Sequence, residues 1–280
     1  MRIIGTELII KNIKEMCIEA NYNLSPDMEE AVRNSVSAEP STIGRQILEQ
    51  LEENMEIAKS EFIPICQDTG MAVIFIKIGQ DVHIDGINLE DAINEGIRQG
   101  YEEGYLRKSI VGDPLLRVNT NDNTPGIIHY EIIPGSNIEI TVAPKGFGSE
   151  NMSRVYMLKP SDGIDGVKKV VLETVSMAGP NACPPIVVGV GIGGSFEKCT
   201  LLAKKALTRN INEHSKLEHI KTLEHEILEE INKLGIGPGG LGGKTTALGV
   251  NIETYPTHIA GLPVAINICC HVNRHIKRIL

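Results

Sequence analysis

The first indication of the fold is the segment PIVVGVGIGGSFEKCTLLAKKALT, residues 185–208. Residues 185–192 are an apolar, largely β-branched run of the kind that forms a buried strand. Residues 195–208 place apolar side chains at helical spacing, and glycines join the two parts. A buried strand that passes directly into a helix is the building unit of α/β proteins, so we expect an α/β fold.

More strands and helices are predicted on both sides of this unit. The patterns predict strands at 71–79, 127–134, 137–144, 246–253 and 262–269, and helices at 88–107, 162–178 and 216–234. Gly135 and Ser136 lie between two of these strands and suggest a hairpin. Residues 1–62 predict helices instead. We expect one catalytic domain over 1–280, in which the helical part, 1–62, precedes a mixed α/β part, 63–280.

Composition excludes several classes of protein. The 280 residues are 41% hydrophobic and 22% charged, which is ordinary for a folded domain and rules out wholesale disorder. A net charge of −9 argues against binding to nucleic acid or to an anionic membrane. No apolar run reaches the ~20 residues of a membrane span, and the charged N-terminus lacks a signal-peptide pattern. These features predict a soluble, cytoplasmic protein.

Two glycine-rich segments imitate nucleotide-binding loops. Residues 189–194 satisfy G-x-G-x-x-G between a strand and a helix, with Glu213 further on, but they do not open a βαβ unit. Close packing of the strand on the helix is the favoured interpretation. Residues 238–245 have Pro238 where a phosphate-binding loop needs glycine, and a helix precedes them. A nucleotide-binding regulatory module stays open as an alternative of a different class.

Six cysteines occupy positions 17, 66, 183, 199, 269 and 270. Reduced thiols are favoured over disulfides because the chain is large and shows no export signal. Cys66, Cys183 and Cys270 each lie in a predicted loop at a strand end, where α/β folds place ligands. They lack the short C-x₂₋₄-C pairs of structural zinc sites. Three distant thiolates are typical of an iron–sulfur cluster with one iron open to substrate, and buried apolar thiols are the alternative.

Five blocks of the sequence occur together in one known family of enzymes. They are ICQDTG (65–70), LRKSIV with DPL and NTNDNTPGIIHYEIIPG (106–135), KGFGSENMSR (145–154), GPNACPPIVVGVGIGG (179–194), and IGPGGLGGKTTALGVNIET with CCHVNR (236–274). In this order they resemble the alpha subunit of the class I, iron–sulfur fumarate hydratases, which corresponds to the N-terminal half of single-chain members. The alpha subunit of L(+)-tartrate dehydratase belongs to the same family.

The resemblance implies that three cysteines hold a [4Fe-4S] cluster. The first and second ligands of the family correspond to Cys66 and Cys183. The third corresponds to Cys270 or to its neighbour Cys269. Cys270 is preferred because the family has an active-site histidine twelve residues before this ligand, and His258 has that separation from Cys270.

The resemblance also implies which residues bind and convert the substrate. The substrate contacts correspond to Gln67, Arg107, Gly146 and Gly148, although Phe147 interrupts a run that is often all glycine. Arginine suits a dicarboxylate because its planar guanidinium donates two hydrogen bonds to one carboxylate. Asp68 and His258 are the candidate pair for proton transfer. From the residues alone, a turn residue and a loop residue remain the alternatives for these two.

The predicted activity is the reversible hydration of fumarate to (S)-malate, a reaction of the tricarboxylic acid cycle. The open iron of the [4Fe-4S] cluster is expected to act as a Lewis acid. Dehydration of L(+)-tartrate is the alternative within the family, although GSENMSR (148–154) is more similar to the fumarate hydratases. The resemblance implies that a beta subunit completes the site, and the expected assembly is a hetero-oligomer of two alpha and two beta chains without nucleic acid or membrane.

Overall fold

The computed structural model describes residues 1–280, and its backbone divides into two units. Unit 1 comprises Met1–Ser25, Met55–Gly146 and Arg274–Leu280, and unit 2 comprises Pro26–Asn54 and Phe147–Asn273. Both units combine helices with sheets of parallel and antiparallel strands, which confirms the predicted α/β class. None of the helices combines the length and the apolar character that a membrane crossing requires.

The strands and helices are numbered in chain order. They are β1 (Arg2–Gly5), α1 (Thr6–Tyr22), α2 (Pro26–Ala38), α3 (Thr42–Glu61), β2 (Met71–Gly79), β3 (Val82–Asp85), α4 (Leu89–Glu103), β4 (Ile127–Ile133), β5 (Ile138–Lys145), α5 (Phe147–Glu150), β6 (Arg154–Leu158), α6 (Gly163–Ala178), β7 (Ile186–Gly193), α7 (Phe196–Ala206), α8 (Glu218–Lys233), β8 (Ala247–Tyr255), β9 (Leu262–Cys269) and β10 (Ile276–Ile279). Short 3₁₀ turns cover Pro160–Asp162, Gly179–Ala182 and Pro238–Gly240. The predicted strand at 71–79 coincides with β2, and the other predicted elements lie within a few residues of the observed ones.

The main sheet of unit 1 has the strand order β10-β5-β2-β4. β2 is parallel to β4 and antiparallel to β5, which pairs in turn with β10. Apolar side chains of β2 and β5 pack with those of α1 and α4 in one buried cluster. The two helices approach closely because α4 carries Gly96, where a Cβ would lie 2.8 Å from the carbonyl oxygen of Ile10. This packing holds the turn before β2 and the residues after β5 in place.

The predicted hairpin between residues 127–134 and 137–144 is wrong. β4 and β5 do not pair with each other, because the apolar and largely buried β2 lies between them in the sheet. The link from β4 to β5 instead crosses the end of β2, where the Gly79 N–H donates to the Asn137 carbonyl at 2.9 Å. A Cβ at Gly79 would lie 2.3 Å from the Gly135 oxygen, so this crossing requires glycine.

The sheet of unit 2 has the strand order β6-β9-β7-β8, with β7 parallel to β8 and antiparallel to β9. Successive residues of a strand face opposite sides of the sheet. Val188 and Val190 of β7 therefore join the buried cluster of α6 and α8. Gly191 faces α7, where a Cβ would lie 2.0 Å from the carbonyl oxygen of Cys199. The segment 189–194 thus allows the helix to pack on the strand, in agreement with the favoured interpretation.

Candidate functional site

A turn before β2 carries three of the predicted site residues. The Cys66 thiol donates to Gln67 Oε1 at 3.4 Å, and Asp68 Oδ1 accepts the Gly70 N–H at 3.0 Å. Gly70 has a φ of +79°, and a Cβ there would lie 2.7 Å from the backbone carbonyl carbon of Lys145. Glycine is therefore needed for the close approach of this turn to the end of β5.

Gly146, another predicted site residue, lies against this turn. Met71 of β2 is paired with Lys145 of β5, which brings the residue after β5 to Asp68. A Cβ at Gly146 would lie 3.1 Å from Asp68 Oδ2. The buried Lys145 side chain donates from Nζ to the Gly146 carbonyl at 3.0 Å. A cation that the sequence analysis did not single out thus lies beside two predicted residues.

Arg107 is brought to the same turn through its backbone. Its N–H donates to Thr69 Oγ1 at 2.9 Å, and the Thr69 hydroxyl donates to the Arg107 carbonyl at 3.2 Å. The Arg107 side chain is exposed, whereas Thr69 is buried. The sequence analysis missed Thr69, although it lies in the ICQDTG block directly after Asp68.

Arg274 is a second buried cationic residue that was not predicted. Its Nη2 donates to the carbonyl oxygen of Asp68, while Nε and Nη1 have no hydrogen-bond partner. Arg274 and Lys145 thus place two buried cationic side chains next to Asp68 and Gly146. Arg107 is attached to the same turn through its backbone, and its charged side chain is exposed. The chain as a whole carries a net charge of −9, which repels a dianionic ligand. A site for such a ligand therefore needs positive side chains held in place. The position of Arg274 at the end of the CCHVNR block was the available signal.

Solvent exposure divides the six cysteines into two groups. Cys17, Cys199 and Cys269 are buried, and Cys66, Cys183 and Cys270 are partly or fully exposed. Burial raises the pKa of the Cys17 thiol to about 12 and also raises the pKa of Cys199. A metal ligand must be a thiolate, and the raised pKa values of Cys17 and Cys199 disfavour that form. The exposure pattern therefore favours the three loop cysteines as ligands.

Cys183 lies beside the segment that carries Cys270. Cys183 follows the 3₁₀ turn Gly179–Ala182 with a φ of +53°, and its carbonyl oxygen lies 3.1 Å from His271 Nδ1. Cys269 is the last residue of β9, pairs with β7 and is only 3% exposed. The strand thus ends with one cysteine in the core and the next at the surface.

The exposed thiols have the chemistry that an iron–sulfur cluster requires of its ligands. No three His, Cys, Asp or Glu side chains form a group that could hold one ion. A cubane cluster takes one cysteine thiolate on each iron that the protein holds. It requires reduced, accessible thiols, and Cys66, Cys183 and Cys270 form no disulfide and all have exposed surface.

His258 and Gly148 complete the set of predicted site residues. His258 lies in an exposed turn between β8 and β9, where its Nδ1 accepts the Ala260 N–H at 3.1 Å. The His258 carbonyl accepts the Gly261 N–H at 3.0 Å. Contacts within this turn therefore orient the ring, and no hydrogen bond links His258 to Cys183. Gly148 lies in α5, where a Cβ would meet no atom within 4 Å. Packing therefore does not explain the glycine.

The glycine-rich loop at 236–245 binds a carboxylate of the same chain. The Glu39 carboxylate accepts the N–H groups of Thr245 at 2.7 Å, Lys244 at 3.0 Å and Ser41 at 3.0 Å. Burial alone would raise the pKa of the Glu39 carboxyl, but these hydrogen bonds lower it overall. The amides that would bind a phosphate in a nucleotide loop are thus already used.

The sequence matches known proteins along most of its length. The family model Fumarate hydratase (Fumerase) matches residues 10–279. The chain is 45% identical over 274 residues to the putative L(+)-tartrate dehydratase subunit alpha of Methanocaldococcus jannaschii, covering 95% of this chain and 96% of that protein. It is 34% identical over 252 residues to the L(+)-tartrate dehydratase subunit alpha of Escherichia coli K12 and of E. coli O157:H7, covering 89% of this chain and 82% of each relative.

These matches define the chain as part of a hydro-lyase. It belongs to the fumarate hydratase (Fumerase) family, which confirms the resemblance found in the sequence. All three of these relatives are named as alpha subunits of L(+)-tartrate dehydratase, putative in M. jannaschii.

Proposed function

We propose that the chain is the alpha subunit of a hydro-lyase that interconverts fumarate and (S)-malate. The observation that carries the proposal is the contact set of unit 1, in which Asp68, Gly146 and the backbone of Arg107 meet at one turn beside Cys66. A proton-transferring carboxylate and fixed positive groups are what the addition of water to a dianionic alkene requires. The proposed catalytic domain is the whole chain, 1–280.

Cys66, Cys183 and Cys270 are the proposed ligands of a [4Fe-4S] cluster. Their exposure supports this assignment, and the burial of Cys269 favours Cys270 as the third ligand. When bound, such a cluster supplies an iron without a protein thiolate that acts as a Lewis acid toward a hydroxyl and a carboxylate.

The side chains of this chain bind the substrate and move its proton. The Arg107 guanidinium is proposed to bind one substrate carboxylate, and the backbone N–H groups at Gly146 and Gly148 and the amide of Gln67 to orient it. Asp68 or His258 takes a proton from the carbon beside the hydroxyl-bearing carbon in the dehydration direction and returns it in hydration. Arg274 and Lys145 stabilise the negative charge that collects on the substrate carboxylate as this proton leaves.

A beta-type subunit is the proposed partner, in an assembly of two alpha and two beta chains. The names of the relatives support this, because each is described as an alpha subunit. By itself the chain is therefore expected to bind the cluster but to lack full activity. Rapid turnover by this chain alone, after anaerobic cluster assembly, would contradict the requirement for a partner.

L(+)-tartrate dehydration is the second candidate, and the names of the relatives favour it. The two candidates differ by one substrate hydroxyl. The deciding experiment is anaerobic purification with the partner chain, followed by assays of fumarate, (S)-malate and L(+)-tartrate side by side. Turnover of tartrate with no conversion of fumarate would replace the first candidate by the second, and no turnover of any of them would reject both.

A further inference from the structure

One hydroxyl group holds both backbone polar groups of Arg107. The Arg107 N–H donates to Thr69 Oγ1 at 2.9 Å, and the same hydroxyl donates to the Arg107 carbonyl at 3.2 Å. A threonine hydroxyl has one proton and two lone pairs, so a single side chain can serve both groups. Thr69 is only 2% exposed, so water does not compete for these bonds.

A second pair of contacts ties the same two segments together. Asn123 Oδ1 accepts the Ser109 N–H at 2.7 Å, and its Nδ2 donates to the Gly70 carbonyl at 3.2 Å. Asn123 is fully buried and has a φ of +62°. Residues 107–109 are thus attached to residues 69–70 at two points.

Tyr101 of α4 anchors the turn that carries Thr69. Its hydroxyl lies 2.9 Å from the carbonyl oxygens of both Thr69 and Gly70, and the ring is fully buried in α4. The backbone on which Thr69 is mounted is therefore anchored to the helical layer of unit 1. A shift of Arg107 relative to Asp68 would break several of these hydrogen bonds together.

We propose that Thr69 is a positioning residue that sets the place of Arg107 relative to Asp68. This inference rests on the proposed function, in which Arg107 binds a substrate carboxylate and Asp68 faces the reacting carbons. The Arg107 side chain is long and exposed, so its anchored backbone is the fixed point from which the guanidinium reaches the substrate. Because Arg107 is proposed to bind a carboxylate and not to move a proton, displacing its backbone should weaken substrate binding more than the chemical step.

The variant Thr69→Val removes the hydroxyl but keeps the shape, and Thr69→Ser keeps the hydroxyl as the matched control. Both are compared with the unchanged enzyme, assembled with its partner chain and its cluster. For T69V we expect KM for the dicarboxylate, and the dissociation constant of an unreactive dicarboxylate inhibitor, to rise about tenfold. We expect kcat to stay within about threefold, and T69S to stay within about twofold of the unchanged enzyme in all three quantities.

If Thr69 only stabilised the fold, T69V would change the kinetic constants in a different way. Loss of folded molecules lowers kcat per mole of protein and leaves KM and inhibitor affinity unchanged. That result, or unchanged constants in T69V, would overturn the proposal. Thr69→Ala is prepared alongside T69V, and failure of both variants to fold would assign Thr69 to stability alone and equally overturn it.

Hydrogen exchange gives a readout that needs no substrate. The Arg107 N–H, followed in a peptide covering residues 103–111, should exchange faster in T69V than in the unchanged chain and keep its protection in T69S. If the unchanged enzyme converts neither fumarate nor tartrate, the proposed function fails while this measurement still tests the attachment. Unaltered exchange at Arg107 in T69V would show that Thr69 does not hold it.

Discussion

The guanidinium of Arg274 donates from Nη2 to the backbone carbonyl of Asp68, although the side chain is 3% exposed and two of its nitrogens lack partners. A buried ion with unsatisfied donors destabilises a fold, so stability does not explain the arginine. We predict that Arg274→Met leaves the free energy of unfolding unchanged or raises it, measured by urea denaturation. Activity should fall about tenfold or more, because the charge beside Asp68 is lost.

Arg274→Lys is the matched control for this prediction. It keeps the positive charge and shortens the reach to Asp68, so its activity should lie between those of R274M and the unchanged enzyme. Clear destabilisation by R274M, with full activity per folded molecule, would mean that Arg274 serves only the fold.

Most elements of the fold could be predicted from local sequence patterns. β2 coincides with its prediction because residues 71–79 form one apolar run that only Lys77 interrupts. The helix predicted at 88–107 ends at Glu103 instead, since Gly104 and the positive φ of Tyr105 break it, and periodicity alone does not detect such a break. The predicted hairpin failed because strand order depends on which distant segment takes the central place, here β2.

The residues proposed for the site came from short blocks that resemble the family, and the structure shows which of them lie together. Cys66, Gln67 and Asp68 lie together because they are neighbours in the chain, and Gly146 joins them through the register of β2 and β5. Thr69 and Arg274 were missed. Both lie in blocks that resemble the family, but those blocks do not reveal the burial and the hydrogen bonds to distant residues that distinguish them.

Glu39 is predicted to stabilise the loop at 236–245 through its ionised form. Glu39→Gln replaces an acceptor carboxylate by an amide whose NH₂ faces backbone N–H groups, and Glu49→Gln on exposed α3 surface is the control. We expect E39Q to lower the free energy of unfolding at neutral pH by about 2 kcal/mol and E49Q to have no measurable effect.

The difference in the free energy of unfolding between E39Q and the unchanged chain should depend on pH, which gives a second check. The pKa of Glu39 in the folded protein lies below its ordinary value of 4.5. Its stabilising effect is therefore complete above that value and is lost as the pH falls through the lower folded pKa. Urea denaturation of both proteins should show the difference between them shrinking as the pH is lowered below 4.5. A difference that is constant with pH would show that the charge of Glu39 is not what holds the loop.

Gly191 should be intolerant of any side chain. A Cβ there would lie 2.0 Å from the Cys199 carbonyl oxygen, so Gly191→Ala must push α7 away from β7. We expect a loss of about 3 kcal/mol in the free energy of unfolding. Gly148→Ala, which meets no atom within 4 Å, should change it by less than about 0.5 kcal/mol. Equal effects of the two substitutions would refute the packing role given to the GVGIGG segment.

The neighbouring cysteines Cys269 and Cys270 allow a direct test of the proposed cluster ligands. Cys270→Ser places a hydroxyl where an accessible thiolate is proposed, whereas Cys269→Ser alters a buried thiol at the end of β9. After anaerobic assembly, C270S should lose iron, sulfide and visible absorbance, and Cys66→Ser and Cys183→Ser should do the same. C269S should keep the cluster, with at most a moderate loss of stability from the buried hydroxyl. Loss of the cluster in C269S with its retention in C270S would move the third ligand to Cys269. Because the thiol at 269 lies in the core, that outcome would also require the end of β9 to open when the cluster binds.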